Sequence, residues 1–419
     1  MDFRVVLILV AEALFAYWLL YRADLLFPPE GGEGRPLYIC LLPATVCALL
    51  ISAAFCLRGL ALDYETLDYQ NFLTHWVAFF RDNGGFKALD TPVGNYNIPY
   101  LYFLALFSYS GIRDLYLIKL LSIFFDVILA WACMLLLGRY TQNRAVRLSC
   151  FFAVLFWPTV VLNGALWGQC DGIYVALAVL GIYLALSDRP VLSMICAALS
   201  FGFKLQAVFI LPVYAVLWLQ GKFKLRHFLV FPLSYVVLVL PAVLLGRPFM
   251  DTITLYLNQT GSVGDGLNYN SPSVFAFFDN VRDPSGAANF AIAAALFFML
   301  AVLELCLIYR RRLNDRAVLG AVVLFAIGIP FLLPHMHDRY FFAADILTLV
   351  LSFVDVRFAA AAVLTQFASL LGYHAYLKMR YLLLMYHGAR ALILALLMEA
   401  VFFALSLIRK KFETEEIRS

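Results

Sequence analysis

Along most of the chain, apolar residues run on for roughly 15 to 20 positions at a time, and the polar intervals between them are short. A helix rising about 1.5 Å per residue needs about 20 such residues to cross a hydrocarbon core about 30 Å thick. Length and hydropathy together predict spans at 3–22, 36–57, 115–137, 146–163, 170–187, 191–202, 205–219, 227–246, 287–309, 317–333, 339–354, 358–374 and 386–408. That makes about 13 passes and an all-α, polytopic membrane protein with about 11–13 transmembrane helices. Barrel strands would alternate over about ten residues, and no such alternation is present. Segment 98–112 is too short for a clear span and reads as re-entrant or interfacial. Segments 191–202 and 205–219 read as a helix broken around Gly202-Phe203-Lys204.

One polar interval, from Leu62 to Tyr100, has a different pattern. Tyr69, Phe72, Leu73, Trp76, Val77 and Phe80 recur at three- and four-residue steps, which predicts an amphipathic helix from Leu67 to Asn83 stopped by Gly84-Gly85. Asp68, Asn71, Thr74, His75 and Asp82 occupy its other face. A helix of this kind lies in the headgroup plane. It would hold the Asp68 carboxylate where a lipid head group sits.

Charge orients the chain. The basic intervals 138–147, 221–227, 309–316 and 409–411 are expected in the cytoplasm. Threading them puts four polar, aromatic-rich segments together on the extracytoplasmic face: 58–114, 163–172, 247–286 and 334–340. The chain 1–419 then reads as one integral domain. Segment 58–114 is its first large outer loop and 346–419 its C-terminal helices. Within the outer loop 247–286, the glycine-rich stretch 258–273 reads as a lid or as a plain loop.

Composition agrees: 64% of residues are hydrophobic and 14% charged, far outside the range of soluble proteins. The net charge of +4 sits mostly in loops and tail, so it reports orientation, and no nucleic-acid partner is expected. The eight cysteines are scattered singly without CxxC or Cys/His spacing, so neither disulfides nor a zinc site are indicated. The apolar run Val5–Leu20 lacks a signal-peptidase site and is taken as a membrane helix.

A charge inside a span costs several kcal/mol unless paired or hydrated, whereas one at a span end reaches water. A solvated helix end therefore explains Asp63, Asp68 or Asp171 taken singly. Asp68 stands out by its setting in DYQNFLTHW. WGQCDG packs a stacking ring (Trp167), an amide (Gln169) and a carboxylate (Asp171) into five residues, which suits a sugar. Lys204, amid apolar sequence, is a snorkelling lysine or a contact for a lipid phosphate. In LPHMHDRYFF, His335 and His337 lie two apart rather than at the helical i, i+4 spacing of metal pairs, so phosphate binding through Arg339 is preferred and no metal site is assigned.

These motifs, with NYNIPYLY (95–102) and LIKLLSIFFDV (117–127), resemble in their order the GT-C superfamily of integral-membrane glycosyltransferases, which use polyprenyl- or dolichyl-phosphate sugars. The resemblance covers roughly 60–345 and is nearest to bacterial mannosyltransferase-like proteins, with kinship to the GPI mannosyltransferases. It implies a GT-C-like fold with Asp68 as catalytic carboxylate and Asp63 as second candidate. Tyr96, Asn97 and His75 would line the site, as would Trp167, Gln169 and Asp171. Lys204, His335, His337 and Arg339 would hold the donor phosphate or the acceptor, and Asp126 would be a supporting acid. The helix before the first outer loop departs from the family pattern and would put the N-terminus outside.

The expected activity is inverting transfer of a hexose, mannose favoured, from a polyprenyl-phosphate donor to a lipid-linked, glycan or protein acceptor. It would take place on the extracytoplasmic face of a bacterial plasma membrane. No cofactor is implied, and a divalent metal is neither required nor excluded. The alternative is a transporter or flippase of a polyprenyl-linked lipid. It is disfavoured because the polar groups gather at one face rather than at mid-bilayer.

Overall fold

A computed structural model describes residues 2–27, 37–259, 266–278 and 280–408, with side chains from 41 onward in the second stretch and not at 258–259. The architecture is helical. Strand structure among the described residues is confined to Asn268–Tyr269 and Met336–His337, paired in parallel. Among the described residues, eight helices are long and apolar enough to cross a membrane: Phe3–Arg22, Leu41–Gly59, Asp114–Leu137, Leu225–Leu244, Pro284–Ile308, Asp315–Leu332, Val356–Lys378 and Tyr386–Ile408. Arg144–Phe156 and Pro158–Trp167, bent by 46° where Pro158 opens the second piece, make a ninth if counted as one span.

The other four predicted spans are shorter helical pieces: Asp171–Leu186, Pro190–Phe203, Leu205–Leu219 and Phe342–Val354. The expected 11–13 full-length helices thus become eight or nine. A helix of 13 to 16 residues covers only about 20–24 Å, short of the hydrocarbon core. These pieces are apolar because protein surrounds them. Every residue of Phe342–Val354 up to Leu351 is buried, and Asp171–Leu186 packs between its neighbours Asp114–Leu137 and Pro190–Phe203. Hydropathy does not distinguish a helix solvated by lipid from one solvated by other helices. Burial does: 83% of the Asp315–Leu332 window is buried, against 17% for Leu225–Leu244. The first is the centre of the bundle, and the second turns its leucines outward.

The break at Gly202-Phe203-Lys204 is present. Pro190–Phe203 ends there, Lys204 is extended, and a 3-10 turn follows at Leu205–Phe209. The 58–114 segment is helical over 67–82, with a π-turn at Tyr69–Leu73 and an α-helix at Thr74–Asp82; Gly84, at φ +86, stops it. Much of its apolar stripe is covered by protein, while Leu67 and Phe72 remain 44% and 51% exposed. Trp76, Val77 and Phe80 are buried in a unit built with the Ile98–Phe107 helix and the Gly85–Asp90 turn. The periodicity marked a buried face, and the covering surface came from the same segment.

Two buried cations shape the approach to this segment. Lys119 Nζ donates to the carbonyls of Ala61 (2.8 Å), Leu62 (3.0 Å) and Tyr64 (2.6 Å), satisfying the turn that leaves Leu37–Gly59. Arg58 pairs with Asp126 at 3.0 Å, both 1% exposed, and donates to the Leu155 carbonyl. At the other end of the bundle, Asp315 accepts from Arg139 and Gln220 (3.2 Å each), which ties the basic intervals to one another. The tail interval 409–411 lies outside the described residues.

Candidate active site

The four polar segments expected on one face do meet. Asp68 sits in the first turn of the 67–82 helix, where its backbone N–H donates to the Tyr376 hydroxyl at 2.9 Å. Its Oδ2 accepts from Trp167 Nε1 at 2.9 Å and from Gln169 Nε2 at 2.7 Å. Gln169 is oriented in turn by Tyr96, whose hydroxyl donates to Oε1 at 3.1 Å. Trp167 stacks flat on Tyr376, centroids 4.1 Å apart and planes 10° apart. Trp167 and Gln169 both use Oδ2, and the Tyr376 hydroxyl is also hydrogen-bonded to the Asp68 carboxyl, so Oδ1 is the less engaged of the two oxygens.

Trp167 and Gln169 reach Asp68 because the helix before them ends abruptly. A π-turn at Leu162–Trp167 is closed by Gly168 at φ +77, a left-handed conformation that glycine adopts without a Cβ clash. The chain reverses there, with the Gln169 N–H on the Asn163 carbonyl at 2.9 Å and the Gln169 carbonyl taking the Ser122 hydroxyl at 2.8 Å. The two side chains then point the same way. π-turns within helices recur at functional sites, and here one lies on each side of Asp68.

Behind this pair is a cluster of opposite charge. Asp171, 1% exposed at the start of Asp171–Leu186, takes the Asn163 amide at 2.8 Å, Lys204 Nζ at 2.5 Å and, at 3.7 Å, Arg339 Nε. Lys204 gets there through the helix break, which lets it leave the apolar run. The Arg339 guanidinium lies 5.2 Å over the Trp167 ring, and its remaining ion pair, to Asp338, is 3.5 Å long. Arginine has five donors. Here they meet long contacts only, and Nε has no hydrogen-bond partner although buried. Two cations therefore face one well-engaged carboxylate, Asp171, and the guanidinium retains capacity for an anion.

The adjoining residues carry shifted proton affinities. Burial pushes the Asp338 carboxyl up to about 7; Arg339 opposes this, and Asp68 and Asp171 add to it. Burial and then the Arg339 charge bring His337 down to about 4, so near neutral pH it is an uncharged ring, stacked on Tyr269 at 4.7 Å. Burial also raises Tyr96 well above the ordinary phenol, which keeps it a donor to Gln169.

Not every expected residue joins the cluster. Asp63 is exposed and accepts from the Tyr116 hydroxyl at 2.6 Å. His75 is exposed on the helix surface. Asn97 is fully buried as a helix cap, accepting from Ile98 N and donating to the Tyr235 hydroxyl at 2.9 Å. Of the Tyr96-Asn97 pair, only Tyr96 reaches Gln169. His335, at φ +60, ties the 247–286 loop down: its N–H donates to Leu267 O and its Nδ1 lies 2.8 Å from Gly266 O. Residues 266–270 of the expected lid, 258–273, are held by this contact, by the strand pair and by the Tyr381 hydroxyl on Asn270. Residues 260–265 of that stretch lie outside the described residues.

Tyr373 and Tyr376 were missed by sequence reasoning. They lie three apart in Ala359–Lys378, a helix without a motif, and both pack on Trp167. The three-residue spacing of two tyrosines near a span end was the available signal. Among the described residues, no group of three or more His, Cys, Asp or Glu side chains is placed to hold a metal ion. No protein-family model matches the chain, and no curated protein matches it.

Proposed function

We propose that the protein is an inverting glycosyltransferase that moves a hexose from a polyprenyl-phosphate donor to a hydroxyl acceptor. The observation that carries this reading is the Asp68 carboxylate, clamped through one oxygen by Trp167 and Gln169 beside the under-satisfied Arg339 guanidinium. A base next to an anion site is what displacement of a phosphate by an alcohol requires.

Asp68 Oδ1 takes the proton of the acceptor hydroxyl. The hydroxyl oxygen forms a bond to the anomeric carbon from the face opposite the phosphate. The bond from that carbon to the phosphate oxygen breaks, and its electron pair leaves on the lipid phosphate. The transition state is oxocarbenium-like, and attack from the opposite face inverts the anomeric centre. Arg339, supported by Asp171 and Lys204, stabilises the departing phosphate, so no general acid is needed there. Tyr96 and Gln169 offer the sugar a hydroxyl and an amide, while Trp167, buried between Tyr376 and Arg339, orients the Asp68 carboxylate. The GT-C resemblance favours mannose, a lipid-linked, glycan or protein acceptor, and the extracytoplasmic face of a bacterial plasma membrane. That side follows if the arginine-rich end faces the cytoplasm.

One observation favours the second reading, carriage of a polyprenyl-linked lipid. Glu399 is fully buried inside the Tyr386–Ile408 span with neither carboxylate oxygen partnered among the described residues, as in proton-coupled carriers. A single experiment separates the two. Purified protein is incubated with a panel of polyprenyl-phosphate sugars, with and without membrane acceptors. Acceptor-dependent loss of sugar from one donor with inversion supports transfer. Movement of intact donor across proteoliposomes with no sugar release supports carriage and overturns the enzyme.

A further inference from the structure

At the end of the bundle opposite Asp68, three elements converge on a small cavity. They are the start of Asp315–Leu332, the turn Val356–Phe358 and the end of Tyr386–Ile408. The cavity holds about 80 Å³; Arg316, Asp355 and Arg357 form its rim and Phe358, Phe402 and Leu405 its walls. Its position follows from the topology. Asp315–Leu332 runs from this rim to the 334–340 loop of the candidate site, and Phe342–Val354 runs back.

The rim is cationic. Asp355 is taken up by its neighbour Arg357, whose Nε and Nη2 donate to its two oxygens at 2.9 and 2.6 Å. Arg357 Nη1 is left over. Arg316 is half-buried; after Arg357, its charge helps hold the Asp355 carboxyl down, but among the described residues no hydrogen bond engages its guanidinium. The rim thus carries one net positive charge and two guanidinium groups with open donors, beside the further arginines at 310–312.

The walls are apolar apart from Ser406. Phe402 meets Phe358 edge to face at 5.1 Å. On the same helix, Val401, Leu405 and Ile408, spaced to share one face, are 54%, 43% and 64% exposed beside the cavity. On a membrane-spanning helix that flank faces acyl chains. We propose that this cavity binds the phosphate headgroup of an anionic phospholipid in the leaflet opposite the candidate site, with Arg316 and Arg357 on the phosphate oxygens and an acyl chain along Phe402 and Leu405. A guanidinium is the side chain best matched to a phosphodiester, and basic pockets at helix ends are suited to acidic headgroups. The apolar flank is the reason to choose a lipid over a free anion, which would engage the rim alone.

The test is thermal unfolding of the purified full chain in neutral detergent, titrated with phosphatidylglycerol, phosphatidylcholine or inorganic phosphate. Phosphatidylglycerol is expected to raise the melting temperature saturably, well beyond the other two. Arg316→Gln and Arg357→Gln should each raise the half-saturating lipid concentration about fivefold, Arg316→Lys less, and Arg311→Gln not at all. If Arg357→Gln unfolds because Asp355 is left unpaired, the double variant Arg357→Gln/Asp355→Asn replaces it. Loss in Arg311→Gln equal to that in Arg316→Gln would show diffuse surface charge and overturn the site. Equal stabilisation by inorganic phosphate would overturn the lipid. A lipid effect that appears only after removal of 409–419 would assign the cavity to the acidic stretch Glu413–Glu416 instead.

Discussion

Asp338 is the residue through which solution pH enters the site. Its carboxyl is buried, 3.5 Å from Arg339, and is pushed up to about 7. Below that pH it is neutral and leaves the guanidinium to a bound phosphate. Above it the carboxylate competes for the same donors. The Michaelis constant for a phosphate-linked donor is therefore expected to rise about three- to tenfold from pH 6 to 8.5, with Asp338→Asn flat over that range. Stability follows the same sign. The folded protein holds this proton between about pH 4 and 7 and the unfolded chain does not, so stability from this group falls as pH rises through that window. A wild-type profile unchanged by Asp338→Asn would contradict both statements. Polar side chains at span ends were legible as a set, and Asp68, Trp167, Gln169, Asp171, Lys204 and Arg339 indeed meet. Asp63, His75 and Asn97 look equivalent in the chain but project elsewhere. Which way a side chain points at a span end depends on turns such as Gly168, and spacing does not encode them.

Among the elements, the Leu162–Trp167 π-turn is the one that builds the site, and Gly168 is its stop. A Cβ there would sit 3.4 Å from Ile118 and Lys119, ordinary contact, so the cost of Gly168→Ala comes from φ +77. About 1–2 kcal/mol of destabilisation is expected, seen as a lowered melting temperature. Turnover should drop further than stability, because Trp167 and Gln169 flank the strained residue. Unchanged melting and turnover would contradict this. Element type was legible nearly throughout: the 67–82 helix ends one residue from its expected stop, and the break before Lys204 is where the sequence placed it. Span number was not, since Asp171–Leu186 and Phe342–Val354 are apolar for packing, and hydropathy is blind to what an apolar helix touches.

Across the whole molecule, the 58–114 segment is anchored to the bundle by buried charge. Arg58 of one span and Asp126 of another form a pair that is 1% exposed, and a Cβ at Gly164 would lie 2.8 Å from the Asp126 carboxylate. The pair thus sits directly beneath the π-turn that carries Trp167. Arg58→Leu leaves a buried carboxylate uncompensated and should destabilise the fold by about 3–5 kcal/mol; Arg58→Leu with Asp126→Leu should recover much of that unless Gly164 is displaced. Equal stability of wild type and Arg58→Leu in detergent unfolding would contradict it. The gathering of four polar segments at one end and of the basic intervals around Arg139, Gln220 and Asp315 at the other was legible from charge alone. Contacts between distant residues, such as Arg58 with Asp126 or Trp167 with Tyr376, were not, because nothing local to either partner names the other.

The most direct test of the central claim is single-turnover sugar transfer from a synthetic polyprenyl-phosphate hexose by wild type and Asp68→Asn. The amide keeps the size of the carboxylate and an Oδ acceptor for Trp167 and Gln169, but loses the negative charge and with it the capacity to take a proton. Donor binding is expected to persist and the transfer rate to fall by about 10²- to 10⁴-fold. Transfer by Asp68→Asn at a rate near wild type would contradict the assignment of Asp68 as the base.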